Sequence, residues 1–293
     1  MYLNGESKMR YVLVIVLLVL SVDTFAQRTC CPGPAKAQGR APMTMNEFPK
    51  DEDFVKAHAE PLEFKGDSLK GKMITYPCAD RKNANAYVTN MKPEPTNIVF
   101  MFQEWWGVND YIKQEADRLA KALDVTVVAI DLYDGKVAQT REDAQKYVQA
   151  VKETRLNLII AGAYNNFPAT SKYVTLGWCF GGGWSLMAAL FSPDTRIKGC
   201  VMYYGATESD PDNLAPLACP VLGIFGTKDK WLTPQVVSDF EGAMKKAGKE
   251  LTVKSYDADH AFANPSNPNY DKTATEDARK LSDAFIKKAF GLK

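Results

Sequence analysis

The sequence predicts an α/β protein: a mostly parallel central sheet with helices on both faces. Three observations carry this expectation. After Pro93, short apolar runs alternate with longer segments of helical periodicity, the pattern of parallel strands joined by crossover helices. Runs such as 97–102 and 125–130 are apolar nearly throughout, as strands buried on both faces are. The glycine-rich stretch 177–183 then falls between one such run and a helix-forming segment, so the chain must turn there from strand to helix within a few residues.

Taken in order, the first segment reads as an export signal rather than as part of the fold. Lys8 and Arg10 precede an apolar run at 11–20, and Thr24-Phe25-Ala26 offers small residues at both cleavage-determining positions. That run is short of the ~20 residues needed to span a bilayer. Cleavage after Ala26 is expected, leaving a mature chain in the periplasm or outside the cell. Residues 27–69 are expected to form an N-terminal extension, and 70–293 the catalytic domain. Within the extension, 27–45 is rich in proline, glycine and small residues and buries too little apolar surface to order itself. Residues 46–59 mix apolar and charged side chains in a helix-like way and end near His58, around which the sequence puts no other chemical group.

Short strands are expected at 62–64, 71–77 and 84–90, the first two separated by the turn-forming Lys65-Gly66-Asp67. Asn109 caps a helix over 110–123, whose Ile112, Ala116, Leu119, Ala120 and Leu123 fall on one apolar stripe. A strand follows at 125–130, then one long helix over 141–164, a strand at 173–176, and a helix that starts near Gly183, continues over 185–190 and ends before Pro193. Strands at 197–204, 220–225 and 251–256, with helices near 234–246 and 274–290, complete the pattern.

Composition narrows the function classes. With 46% hydrophobic and 24% charged residues the chain is neither disordered nor a membrane bundle. Its net charge of +1 is unchanged by removal of residues 1–26, which carry two charges of each sign, so bulk charge selects no partner. No cluster of lysine and arginine stands beside aromatic residues, and nucleic acid is not an expected partner. The six cysteines include no C-x-x-C pair, which removes support for a zinc ribbon or a thioredoxin-type site; no metal and no cofactor is expected. Cys200 and Cys219 lie in apolar segments and read as small buried hydrophobes. Cys30 or Cys31 is expected to bridge Cys78, tying down the extension.

The strongest local signal is Gly177-Trp178-Cys179-Phe180-Gly181-Gly182-Gly183, a nucleophile elbow with cysteine in place of serine. The residues two before and two after the nucleophile crowd each other and the sheet, so glycine is needed at both. Cys179 then sits at a helix N-terminus, where the helix dipole favours a thiolate. A thiol nucleophile needs a base, and the chain has only two histidines. His260 follows the last strand, on the edge from which the elbow emerges, whereas His58 precedes the sheet. Asp229, after the strand ending at Phe225, is the acid that would orient the imidazole. The chain order nucleophile, acid, histidine is the order of the α/β-hydrolase fold. Glu104 stands directly after a buried strand on the same edge, in reach of the thiol or else in solvent. The peptide N–H following it, on Trp105, and that of Phe180 are candidates for an oxyanion hole.

These residues together resemble the dienelactone hydrolase family, the carboxymethylenebutenolidases. The motifs are Gln103-Glu104-x-x-Gly107-Val108-Asn109, Asp131-Leu132-Tyr133, Gly177-x-Cys179-x-Gly181-Gly182, the Asp229 turn and His260-x-Phe262-Ala263, spread over about 71–290. The resemblance implies that Glu104 pairs with the resting thiol and shifts when substrate arrives, and that the amides of Trp105 and Phe180 receive the oxyanion. It also implies two arginines that hold a substrate carboxylate. Arg141 fills the first position, while the second is Asn264, which lacks charge. Trp105 and Trp106 suggest a pocket more aromatic than a small anionic lactone requires, with Trp106 a candidate substrate contact.

The function expected is hydrolysis of a small-molecule ester, lactone or thioester through an acyl-cysteine. A non-catalytic binding protein on the same fold is the alternative, and loss of a triad member would favour it. A thiol redox role would need a resolving cysteine near Cys179, and the sequence offers none.

Overall fold

The computed structural model of the chain describes residues 47–191 and 195–293. Eight strands form one sheet in the order β1-β2-β4-β3-β5-β6-β7-β8: β1 (Lys72–Pro77), β2 (Asn83–Thr89), β3 (Asn97–Phe102), β4 (Thr126–Ile130), β5 (Lys172–Trp178), β6 (Ile197–Tyr203), β7 (Val221–Gly226) and β8 (Leu251–Tyr256). β1 pairs antiparallel with β2, and β2 with β4; every other pairing is parallel. This is the mostly parallel α/β-hydrolase arrangement expected from the sequence. The central strands β3 and β4 are buried almost throughout, which is why they read as continuous apolar runs.

Eight α-helices accompany the sheet among the described residues: α1 (Glu52–Ala57), α2 (Asp110–Leu123), α3 (Arg141–Ala150), α4 (Glu153–Asn165), α5 (Phe180–Phe191), α6 (Pro211–Leu214), α7 (Pro234–Lys246) and α8 (Lys272–Phe290). Strand alternation assigns their faces. Tyr203 of β6 bonds Ser282 of α8, whereas Cys200 of the same strand, three positions back, touches Ser185 of α5. Side chains an odd number of residues apart on a strand point to opposite faces, so α5 and α8 cover opposite faces of the sheet. α4 joins α5 through Tyr164, whose hydroxyl reaches the Ala188 carbonyl. α2 joins α8 through Arg118, which forks onto Asp283.

Local chemistry explains most boundaries. The Asn109 side chain accepts from the Ile112 N–H and caps α2 as expected, a contact that contributes about 1 kcal/mol. Thr233 and Asp271 cap α7 and α8 in the same way. Three expectations are corrected. Residues 62–64 form no strand; with β1 at the sheet edge, no strand lies beyond it to pair with. The helix expected over 141–164 is two, because Val151 and Lys152 are extended and turn Val151 onto the core. The helix expected to start near Gly183 begins instead at Phe180, directly after Cys179.

Residues 1–46, with the expected export signal, Cys30 and Cys31, lie outside the described residues. Cys78, the expected bridge partner, is a buried free thiol. From Glu47 onward the extension packs on the domain: Phe48, Phe54 and His58 are all buried.

Candidate active site

Cys179 occupies the turn between β5 and α5 with a φ of 52°, in the left-handed region that a non-glycine residue enters only under constraint. The surroundings impose it. A Cβ on Gly177 would collide with the Gly181 carbonyl, and one on Gly181 with the carbonyls of Phe102 and Gln103. Both glycines that the sequence singled out are therefore required by close backbone approach. The Cys179 N–H is fixed by the Tyr203 carbonyl at 3.0 Å, and its own carbonyl accepts from Gly183 at the start of α5. The Phe180 N–H is directed at the thiol sulfur.

The parallel strands deliver the other groups to the same edge. Asp229 follows β7; its Oδ1 accepts from the amides of Trp231 and Leu232, each at 2.9 Å, which aims Oδ2 at His260. Oδ2 stands 2.6 Å from His260 Nδ1, and His260 Nε2 stands 3.3 Å from Cys179 Sγ. A carboxylate can only accept, so Nδ1 carries hydrogen and Nε2 is turned to the thiol. The structure thus brings Cys179, His260 and Asp229 into one hydrogen-bonded chain.

Burial opposes charge throughout this site. It pushes the Cys179 thiol above its ordinary value, an effect that His260 only partly offsets. The thiolate expected from the helix dipole alone is outweighed by desolvation. Burial also works against the His260 cation, but the Asp229 carboxylate and the Cys179 sulfur outweigh it and leave the imidazole well above its usual value. Burial would raise Asp229 too, yet the His260 charge, with the hydrogen bonds to His260, Trp231 and Leu232, holds it below the usual carboxylate value.

Glu104 follows β3 and is buried, but it does not bond the thiol. Its oxygens accept from the Tyr204 hydroxyl at 3.2 Å and from the Asn264 amide. The pairing of Glu104 with the resting thiol, implied by the family resemblance, is corrected: the sulfur has His260 and His58 beside it instead. The physical reason is Asn264, which stands where an arginine was expected and supplies Glu104 with a donor. Burial raises Glu104 to about 7, with His260, Tyr204 and Asn264 pulling the other way.

Trp105, Phe48, Pro49, Phe54, Tyr204 and Phe180 are among the residues around a space of about 20 Å³ beside Cys179 and His260. That is room for about one water molecule. Trp106 does not line this space; it packs edge-on against Trp105 in the core, and its carbonyl accepts from Ala138. Arg141 does not line it either. Its guanidinium reaches the Lys56 carbonyl at 3.4 Å, at the end of α1.

His58 is what the sequence reading missed. It was expected to have no chemical neighbour, yet its Nε2 stands 3.9 Å from Cys179 Sγ, and its ring lies 4.5 Å from that of Trp105 and 5.2 Å from that of His260. Asp51 caps α1 through the amides of Asp53 and Phe54, and Phe54 reaches across to Trp105, Trp231 and His260. Phe54 lies in the short helix and His58, four residues on, ends it, with its Nδ1 2.7 Å from the Phe54 carbonyl oxygen. That spacing was the available signal, and a chain with two histidines made it worth using. Burial, with the charge of His260, lowers His58 to about 3.

The model of the dienelactone hydrolase family matches residues 84–290. "Protein usf" of Aquifex pyrophilus is 30% identical over 202 residues, covering 64% of this chain and 87% of that protein. A protein of Aquifex aeolicus named "Putative carboxymethylenebutenolidase" is 27% identical over the same length and with the same coverage. The solved structure of a dienelactone hydrolase-like promiscuous phosphotriesterase from metagenomic libraries superimposes with a TM-score of 0.62 at 18% identity, covering 75% of this chain and 99% of that one, a likeness of fold.

Proposed function

The chain belongs to the dienelactone hydrolase family, and from that premise we propose that it hydrolyses an ester, lactone or thioester through an acyl-cysteine formed on Cys179. The single observation that carries this reading is the unbroken chain from Asp229 through His260 to the Cys179 sulfur, at 2.6 and 3.3 Å. In the proposed cycle, His260 Nε2 takes the thiol proton as sulfur attacks the substrate carbonyl carbon. The oxyanion is received by the amides of Phe180 and Trp105. The intermediate collapses with the leaving oxygen or sulfur taking the proton from His260. Water then attacks the thioester, again losing its proton to His260, and the acid departs as the thiol is restored. Asp229 holds the tautomer and stabilises the transient imidazolium.

Two features support an apolar rather than a small anionic acyl group. Asn264, at one expected arginine position, is bound to Glu104. The walls beside the thiol are Phe48, Phe54, Trp105 and Phe180. The mature chain is further proposed to be exported, on the strength of the charged, apolar and small-residue order in residues 8–26; N-terminal sequencing of the secreted form should begin at Gln27.

The test is a panel of lactones, thioesters and aryl esters of graded acyl size and charge, assayed with wild type, Cys179→Ala and His260→Ala. Hydrolysis by wild type and its loss in both variants is the expected outcome. Wild-type rates in Cys179→Ala would refute the nucleophile. No turnover on any substrate by the folded wild type would leave a binding protein on this fold.

A further inference from the structure

We propose that Cys179, His260 and His58 form a binding site for one Zn²⁺ ion, and that the ion shuts off the nucleophile when it binds. The three donor atoms, one sulfur and two imidazole nitrogens, all lie within 4.8 Å of one another. A tetrahedral zinc ion with Zn–S of about 2.3 Å and Zn–N of about 2.0 Å separates sulfur from nitrogen by about 3.5 Å. The observed separations from Cys179 Sγ are 3.3 Å to His260 Nε2 and 3.9 Å to His58 Nε2, on either side of that value.

Each imidazole is already turned to serve as a ligand. His58 Nδ1 lies 2.7 Å from the Phe54 carbonyl oxygen, which can only accept, so Nδ1 bears the hydrogen and Nε2 presents its lone pair to the sulfur. His260 is held the same way, its Nδ1 against the Asp229 carboxylate. Histidines that ligate metals have their second nitrogen fixed by a carbonyl or carboxylate in this manner, and here both kinds of support are present. The Asp229 carboxylate also supplies negative charge behind the site.

The composition of the donor set narrows the ion. One thiolate with two imidazoles suits zinc, as it does copper, and disfavours calcium or magnesium, which take oxygen ligands. A cavity of about 170 Å³ bordered by His58, His260, Trp231 and Asn267 lies beside the two histidines. A water molecule at the ion would complete the tetrahedron. Ligation needs the sulfur as thiolate and His260 as neutral imidazole, so binding expels protons to solvent. The sequence announced no such site because its ligands follow no short metal-binding spacing; they come from the extension, the elbow and the turn after β8.

Binding does not depend on the chemistry proposed above; the inhibitory half rests on Cys179 being the nucleophile. The test titrates the purified, reduced full chain with Zn²⁺ against a chromophoric chelator and, in parallel, follows hydrolysis. One ion per chain should bind, with release of at least one proton. Binding should be lost in Cys179→Ala and in the size-conserving Cys179→Ser, and weakened at least ~10-fold in His58→Gln. Co²⁺ as a probe should give a thiolate charge-transfer band that is missing in both cysteine variants. Hydrolysis should fall in step with occupancy and return when the ion is chelated. Absence of stoichiometric binding, or binding unchanged in folded Cys179→Ser or His58→Gln, overturns the site. Zinc bound through Cys179 with turnover unchanged would uphold the metal site, overturn its inhibitory role and remove Cys179 from the reaction.

Discussion

His58 Nε2 stands 3.9 Å from Cys179 Sγ across 121 residues of sequence. The contact exists because α1, a helix of only six residues, lies over the carboxyl edge of the sheet with Phe54 wedged between Trp105 and Trp231. The space left beside the thiol, about 20 Å³, is room for about one water molecule, and Phe54 borders it. A bulky acyl group is therefore expected to require the segment around Phe54 to give way.

Phe54→Ala tests that requirement. Removing the ring should raise kcat/KM for bulky aryl esters about 10-fold relative to the smallest esters, a difference of ~1.4 kcal/mol. The cost should show as faster hydrogen exchange in residues 48–58 rather than as global unfolding. Equal effects on large and small substrates would mean that Phe54 does not limit access.

Asp229→Asn keeps the shape of the acid but not its chemistry. An amide can donate to Nδ1 and so turn the imidazole tautomer around, leaving hydrogen on the nitrogen that should accept from the thiol. A fall in kcat of roughly 10³ to 10⁴ is expected, with KM little changed. Steady-state rates on one aryl ester suffice to check this, and a fall below ~10-fold would count against Asp229 as the orienting acid.

Glu104 makes stability depend on pH. Its folded value of about 7 lies above the ordinary 4.5, so the folded state binds the proton more tightly than the unfolded state does. The stabilisation is complete below pH 4.5 and is lost as pH rises through 7. That displacement corresponds to about 3 kcal/mol. Glu104→Gln removes the titration, so the stability of wild type relative to the variant should decline by up to that amount across this window. Urea unfolding of both proteins at pH 4, 6 and 8 measures it, and parallel curves would show that Glu104 titrates normally.

Arg141 is tied to the end of α1 through the Lys56 carbonyl. Arg141→Ala should accordingly change KM for anionic and neutral esters by the same factor. A loss for anionic esters exceeding that for neutral ones by ~10-fold, or ~1.4 kcal/mol, would put a substrate carboxylate on Arg141 after all.

Much of this protein is written in short stretches of sequence. The glycines at 177 and 181, the apolar strand before them and the helix after them are one local pattern, and each is dictated by forces acting within a few residues: backbone crowding, strand alternation, helix capping. The order Cys179, Asp229, His260 is equally readable, because parallel strands must release their following loops at one edge. What only the tertiary structure decided are relations between segments with no fixed spacing. Periodicity could not say that Trp105 rather than Trp106 lines the space at the thiol, since both are buried and adjacent. Nor could it say that Asn264 would take Glu104 from the sulfur, or that the extension would bring a second imidazole to it. Those outcomes depend on how α1 and the loops pack over the sheet edge, where burial and pairing are settled by atoms that arrive from distant parts of the chain.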